Sequence, residues 1–243
     1  MSHLLDSVTW EEMGETMRRV LNLYRSSIGK KVLMAVTGAL FVLFVIAHMV
    51  GNLKAFMGPE HYDEYAHYLR EVGEPIFPYG VVLWIMRIVL LTALGIHALA
   101  ALQTWWRSRS ARPVPYGKGL EPEESTFASR TMRWGGWALF LFVIAHLLHF
   151  TVGTIHPDFI PGAAYHNLVI GFQVKWVAVV YVVVMLVLCL HVYHGAWSGF
   201  QTLGLNHPRY NRYRRPLALG LALVLFVGFA SVPIAVMAGI LTV

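Results

Sequence analysis

A chain of 243 residues, 57% of them hydrophobic and only 13% charged, with a mean hydropathy of +0.57, is too apolar for an ordinary soluble domain and reads as a membrane protein folded as one bundle. Its single cysteine, Cys189, excludes an internal disulfide and a self-contained cysteine-ligated iron–sulfur cluster. The formal charge of +6 could suit nucleic acid, but the basic residues sit at the ends of apolar runs, where an orientation signal explains them better and no nucleic acid is expected.

The N-terminal segment, 1–30, is polar. Leu4, Leu5, Val8, Met13, Met17, Val20 and Leu21 are interspersed, much of that spacing fitting one helix face. It reads either as a surface helix at the cytoplasmic face or as a docking element for a partner subunit. The first apolar run begins only after about 31 residues and is too long for the core of a cleavable signal, so no such signal is expected.

Five apolar runs follow, at about 31–53, 80–105, 131–153, 172–198 and 217–241. Each has about 20 residues or more, enough to cross ~30 Å of hydrocarbon at ~1.5 Å per residue. The expected fold is therefore all-α, an integral five-helix bundle over 31–243. Between the first two runs, Gly58-Pro59 and the stretch from His61 to Glu71 predict a short interfacial helix. The connection 106–130 is basic and holds Pro113, Pro115 and Pro122. The connection 154–171 has two prolines and no Lys or Arg, and 199–216 ends in Arg209, Arg212, Arg214 and Arg215. The fifth run, with Pro233 and no ionisable residue, reads as scaffold. Trp105, Trp106, Trp134 and Trp176 near run ends read as interfacial anchors.

The basic residues orient the bundle. The N-terminal segment, the second connection and the fourth together carry fifteen Lys and Arg; the opposite face has Lys54, Arg70, Arg87 and Lys175. This bias predicts a cytoplasmic N-terminus and an external C-terminus.

Four of the runs carry histidines: His48; His97; His146 with His149; and His191 with His194. An ionisable side chain at membrane depth is costly and is a functional candidate for that reason. Orientation converts position into depth. His48 falls roughly 24 Å and His146 roughly 18 Å from the inner edge, whereas His97 and His191 fall roughly 6 and 5 Å from it. The result is an outer pair, His48 with His146, and an inner pair, His97 with His191, on levels roughly 15 Å apart before tilt. Facing helices that present neutral imidazoles leave a slot for a haem macrocycle, so two bis-histidine b haems are expected. Gly38, Gly51, Gly95, Gly135, Gly136 and Gly195 could allow close approach. His149 and His194 are alternative ligands: depth slightly favours His149 over His146, whereas an interfacial place for His194 favours His191. A lone membrane histidine also serves as a hydrogen-bonding group or in a proton relay. A proton-coupled transporter is the corresponding alternative function, though no inverted repeat is visible.

The segments Gly29–Gly38, His48-Met-Val-Gly-Asn-Leu53, Ser129-Arg-Thr-Met-Arg-Trp-Gly135, His146-Leu-Leu-His149 and His191-Val-Tyr-His-Gly-Ala-Trp-Ser-Gly-Phe-Gln-Thr-Leu-Gly204 resemble the membrane anchor of succinate:quinone oxidoreductase. The similarity is to the single-chain, five-helix, two-haem cytochrome b form shared with some fumarate reductases. It covers roughly residues 24–210. The resemblance implies a bacterial inner-membrane subunit of respiratory complex II that binds a flavoprotein and an iron–sulfur subunit. Electrons from succinate oxidation in the flavoprotein would pass through the inner and then the outer haem to quinone, menaquinone in preference to ubiquinone. The chain itself would not oxidise succinate. The resemblance assigns His48 and His146 to the outer haem, and His97 and His191 to the inner. It also implies membrane lipid contacts and allows a higher oligomer of the whole complex.

Two neighbouring readings stay open. A haem-free branch resembles this chain in its anchor, and its histidines, with partner cysteines, help hold a membrane iron–sulfur cluster; Cys189 is compatible with it. A dihaem anchor of another oxidoreductase, such as a hydrogenase or formate dehydrogenase, is the other. Haem propionates need partners near the inner edge, where Ser27, Lys31, Arg130, Ser198 and Gln201 lie; positive-inside anchoring explains the basic ones equally well. For the quinone the outer loop offers Glu60, His61 and Glu64, with Asp63 and His67 beside them, although a solvated acidic face accounts for each. The catalytic residues themselves are not readable. His3, His61, His67, His156, His166 and His207 fall outside the apolar runs and read as surface or loop residues.

Overall fold

The computed structural model describes residues 10–111, 127–205 and 207–243; His3, Leu4, Leu5, Val8 and the connection over 112–126 lie outside them. Helix follows helix throughout, with no strand among the described residues. Five helices are long and apolar enough to cross a membrane, which makes this a multi-pass membrane protein.

Helix α1 (Trp10–Arg25) is polar and stops where Ser26 takes an extended conformation and caps α2 (Ser27–Leu53), its hydroxyl accepting from Gly29 N at 2.8 Å. The carbonyls that α1 leaves unpaired at its end are met by two cations. Lys30, buried, donates from Nζ to Tyr24 O at 3.1 Å, and Arg107 donates to Arg25 O at 2.6 Å. These bonds tie α1 to the start of α2 and to the later helix that carries Arg107.

Past α2 a 3₁₀ turn (Lys54–Met57) runs to Gly58, whose φ of 100° reverses the chain before Pro59 opens α3 (Pro59–Glu71). This is the short helix expected there. Then come α4 (Val81–Ser110) and α5 (Phe127–His146), the latter passing into a π-helical stretch over Leu147–Val152 that stops at Gly153, φ 83°.

A helix not expected from sequence, α6 (Ala164–Gln173), lies in the connection after α5. Its first turn is held from a distance: Asp63 Oδ1 on α3 accepts from Tyr165 N at 2.8 Å. The loop before it is pinned by Asn167, which accepts from Ile160 N at 2.9 Å and donates to Ile160 O at 2.8 Å. The chain breaks at Val174, ψ 93°, and restarts as α7 (Lys175–Thr202). The fourth span therefore begins at 175 and not at 172, residues 172 and 173 closing α6 instead.

The fifth helix, α8 (Pro208–Met237), starts about three turns before the expected 217 and ends before 241. Hydropathy sees only the apolar part of a helix, whereas backbone hydrogen bonding also continues through the arginine-rich part. Pro208 at its first turn needs no N–H partner, His207 Nδ1 accepts from Arg209 N, and Pro216 is accommodated within the helix. The four arginines of the expected fourth connection are therefore helical. In the same way α2 starts at Ser27 and not at 31, its turn running on to Met57, and α4 runs to Ser110, past 105.

Side-chain packing is uneven. The tight core gathers where α6, α7 and α8 meet, around Val169, Leu168, Phe172, Ala178, Val232 and Val236. A smaller cluster of Met49, Val192 and Leu225 joins α2, α7 and α8. There Gly228 leaves the room that the Met49 thioether fills; a Cβ at 228 would collide with it. Helix α7 packs most extensively on α8, α5 on α7, and α4 chiefly on α2.

Candidate functional site

Between α2, α4, α5 and α7 runs one apolar cavity of about 2550 Å³. Single-ligand pockets measure about 300–1,000 Å³, so this space exceeds one small-molecule site. His48, His97, His146, His191 and His194 line it.

The imidazoles come together in two pairs. His97 on α4 and His191 on α7 have ring centroids 6.3 Å apart with planes inclined at 54°. His48 on α2 and His146 on α5 are 5.9 Å apart at 81°. Two contacts measure the distance between the levels. At the first pair, Thr37 on α2 touches His97, and Gly136 on α5 faces His191, where a Cβ would lie 3.9 Å from Cε1. Thr37 precedes His48 by eleven residues and Gly136 precedes His146 by ten. At ~1.5 Å per residue both helices give a separation of roughly 15–16 Å.

His97 has a definite tautomer. Thr37 Oγ1 lies 2.6 Å from Leu33 O, to which it donates, and 2.9 Å from His97 Nδ1. With its proton spent on the helix carbonyl, the hydroxyl accepts from Nδ1–H. His97 Nε2 then carries the lone pair, the form that binds metals. Gly38 clears the space beside this ring, a Cβ there standing 3.6 Å from His97 Cε1.

Around the second pair the walls are aromatic. Phe44 stacks on His48 at 5.4 Å, Phe142 stacks on His146 at 5.7 Å, and Phe229 of α8 lies 5.8 Å from His48. His149 does not share this space. The π-helical stretch changes the angular step after His146, and His149 is buried toward α6 and α7, with His156 at 5.1 Å and Phe150 at 4.1 Å. The hydroxyl of Tyr181 on α7 stands between the two, 3.3 Å from His146 Nδ1 and 3.0 Å from His149 Nδ1. His194 lines the cavity beside Trp197 at 5.8 Å, its Nδ1 buried without a partner, but it does not face His97 as His191 does.

Residues with anion-binding chemistry cluster at the α1 end of the cavity. Lys31, Ser198 and Gln201 line it; Ser27 is exposed and does not, and the side chain of Arg130 lies outside the described residues. Arg109, Arg133 and Trp105 line the same region, with Arg133 5.9 Å from the Trp105 ring. Trp105 and the exposed Trp134 are thus partly cavity wall, while Trp106 and Trp176 are exposed and line no part of it.

The far end is lined by Asn52, Tyr62, Tyr65, Arg70 and Arg87. Burial, followed by the neighbouring Asp63 and Tyr65, pushes the Tyr62 phenol up to about 12. Glu60 and His61 are exposed on α3 and line no part of the cavity. Glu64 lines a separate hollow of about 450 Å³ with Asp63, His67 and Arg70; His67 is paired there with Glu71 at 3.2 Å.

Two imidazole nitrogens binding one metal at about 2.0–2.1 Å each, as in imidazole–zinc bonds, place their ring centres roughly 6–6.5 Å apart. The pairs at 5.9 and 6.3 Å fit that requirement, and the cavity, the lone pair on His97 Nε2 and the basic end fit a macrocycle with acidic substituents. Among the described residues no three His, Cys, Asp or Glu side chains assemble as a metal site. Cys189 is buried in the core.

Thr37, Tyr181, Arg133 and His156 were not singled out by sequence. Thr37 had a usable signal: it lies about three turns before His48 on one helix, at the level expected for the other pair. His156 lies in a loop, as read, but is half-buried there, 5.1 Å from the His149 ring and hydrogen-bonded to Asn167 O at 2.8 Å.

Fold and site define a helical multi-pass membrane protein that presents two facing imidazole pairs within one apolar cavity. Comparison with known protein families, curated sequences and solved structures found no match.

Proposed function

We propose that the chain is the membrane-anchor cytochrome b subunit of a succinate:quinone oxidoreductase in a bacterial inner membrane, with the N-terminus cytoplasmic and the C-terminus outside. The observation that carries this reading is the pairing of histidines from four helices at two levels of one cavity. His48 and His146 would hold the outer b haem, His97 and His191 the inner. Bound haem supplies one-electron transfer across the bilayer. The chain's own part is to fix four imidazoles, to wall the site with aromatic rings, and to offer Lys31, Arg109 and Arg133 to acidic substituents at the inner end. The sequence resemblance favours a flavoprotein and an iron–sulfur subunit as partners and menaquinone as acceptor.

The test is a dithionite-reduced minus oxidised spectrum with a pyridine haemochrome assay on the purified complex. Two b haems per chain are expected, with His48→Ala and His97→Ala each removing one. Succinate:quinone activity without haem would overturn the assignment and favour a membrane iron–sulfur cluster completed by partner cysteines.

A further inference from the structure

Tyr181 carries one hydroxyl proton and stands between two imidazole nitrogens, His146 Nδ1 at 3.3 Å and His149 Nδ1 at 3.0 Å. It can donate to one of them while accepting from the other. The three side chains therefore have two consistent arrangements. In the first, His149 Nδ1–H donates to Tyr181, which donates to His146 Nδ1; the proton of neutral His146 is then on Nε2, and that nitrogen cannot bind a metal. In the second, His146 Nδ1–H donates to Tyr181, and Tyr181 donates to His149 Nδ1. His146 Nε2 is then a free donor atom, and His149 carries its proton on Nε2.

We infer that Tyr181 and His149 are positioning residues that set the tautomer of His146 and strengthen its Nε2 as an axial donor. The inference deepens the haem reading above and rests on it. The local packing supports a fixed role. His149 is 3% exposed and its ring is held between Phe150 and His156; its enclosed Nε2 lacks a partner in both arrangements, so it is the metal bond at His146 Nε2, open only in the second, that selects between them. Gly171 on α6 faces the ring so closely that a Cβ would lie 3.1 Å from His149 Cε1. A ring so confined holds Nδ1 toward Tyr181. The inner site uses a different device for the same end, since Thr37 spends its proton on its own helix and can only accept from His97. The outer site thus depends on a side chain three residues from its ligand, which accounts for the second histidine of His146-Leu-Leu-His149 without making it a ligand.

The test is a potentiometric titration of the haem absorbance in the intact complex, with His48→Ala identifying the outer component. Tyr181→Phe removes the acceptor for His146 Nδ1–H and weakens the axial donor. Two haems should remain, the outer midpoint should move upward, and the inner one should stay in place. His149→Phe leaves the His146–Tyr181 contact and removes only the acceptor for the tyrosine proton; it should move the same component by a smaller amount. It also serves as the deciding variant if Tyr181→Phe does not assemble. An outer midpoint unmoved in the assembled variants, or both midpoints shifting together, would overturn the role of Tyr181 while leaving the haem reading intact. Absence of haem in the unmodified complex would remove both.

Discussion

Replacing Thr37 by Val tests the inner site most directly, because the change is nearly isosteric and removes only the hydroxyl. Thr37 is 8% exposed, so no bulk water replaces it. The lost contact is the 2.9 Å bond from His97 Nδ1–H, and a buried N–H left unpaired costs about 1–3 kcal/mol. If that cost falls on the bound state, affinity at this site drops roughly 5- to 150-fold, which overlaps the ~10- to 100-fold typical of lost partners to metal-binding histidines. Haem transfer to an excess of a haem-free acceptor protein reads this out as a faster loss of one of two components. Thr37→Ser, which keeps the hydroxyl, should stay within about twofold of the original rate, well below the range set for the valine variant. Equal loss rates for the original protein and Thr37→Val would refute the role given to this hydrogen bond, as would a serine variant that behaves like valine.

Other expectations follow from separate parts of the structure. Gly136→Ala should be tolerated, a Cβ there making an ordinary 3.9 Å contact with His191, whereas Gly136→Leu should fill the slot and lower the haemochrome count from two to one. Asn167→Ala deprives Ile160 N of its partner and leaves Ile160 O only the Ala163 N–H, and should cost about 1–2 kcal/mol, lowering the thermal midpoint in detergent by roughly 2–8 °C; an unchanged midpoint would contradict the pinning of this loop. Tyr62, held near 12, keeps its proton in the folded chain above the ordinary tyrosine pKa of about 10. Its contribution is complete below about pH 10 and is lost as pH rises through about 12, so Tyr62→Phe should lose less stability across that interval. Phenolate absorbance should show one fewer late-titrating tyrosine in that variant.

Hydropathy alone was enough to read five long helices, and residue depth was enough to pair the helix of His48 with that of His146 and His149, and the helix of His97 with that of His191; the choice of His146 came from the resemblance. Both signals are one-dimensional: they need only a count along a helix. What they miss depends on angle and on partners distant in sequence. Depth slightly favoured His149, but the π-helical stretch turns that ring out of the cavity. Helix α6 is short, and its first turn is held by Asp63, 102 positions from Tyr165 in the chain, so no local pattern announces it. The early start of α8 was hidden because Arg209 to Arg215 look like a loop to a hydropathy scale, although Pro208 and His207 mark a helix start. The two lysines at the start of α2 divide for a similar reason. Neighbours in sequence point in different directions, so Lys30 is buried as a cap for α1 while Lys31 lines the cavity.

The uneven packing bears on how the protein is built in the cell. Helices α6, α7 and α8 share a close-packed core of the chain's own side chains, and α2 and α5 are fastened to it through α7. Helix α4 leans chiefly on α2, yet it carries His97. Such an element belongs to the low end of local stability and opens at less cost than the rest. Maturation then has a natural sequence: the frame of α2, α5, α7 and α8 sets first, and α4 acts as the side panel that closes last. On the haem reading proposed above, a chain without its haem would differ from the loaded one mainly along this panel, a single helix that tells the two apart.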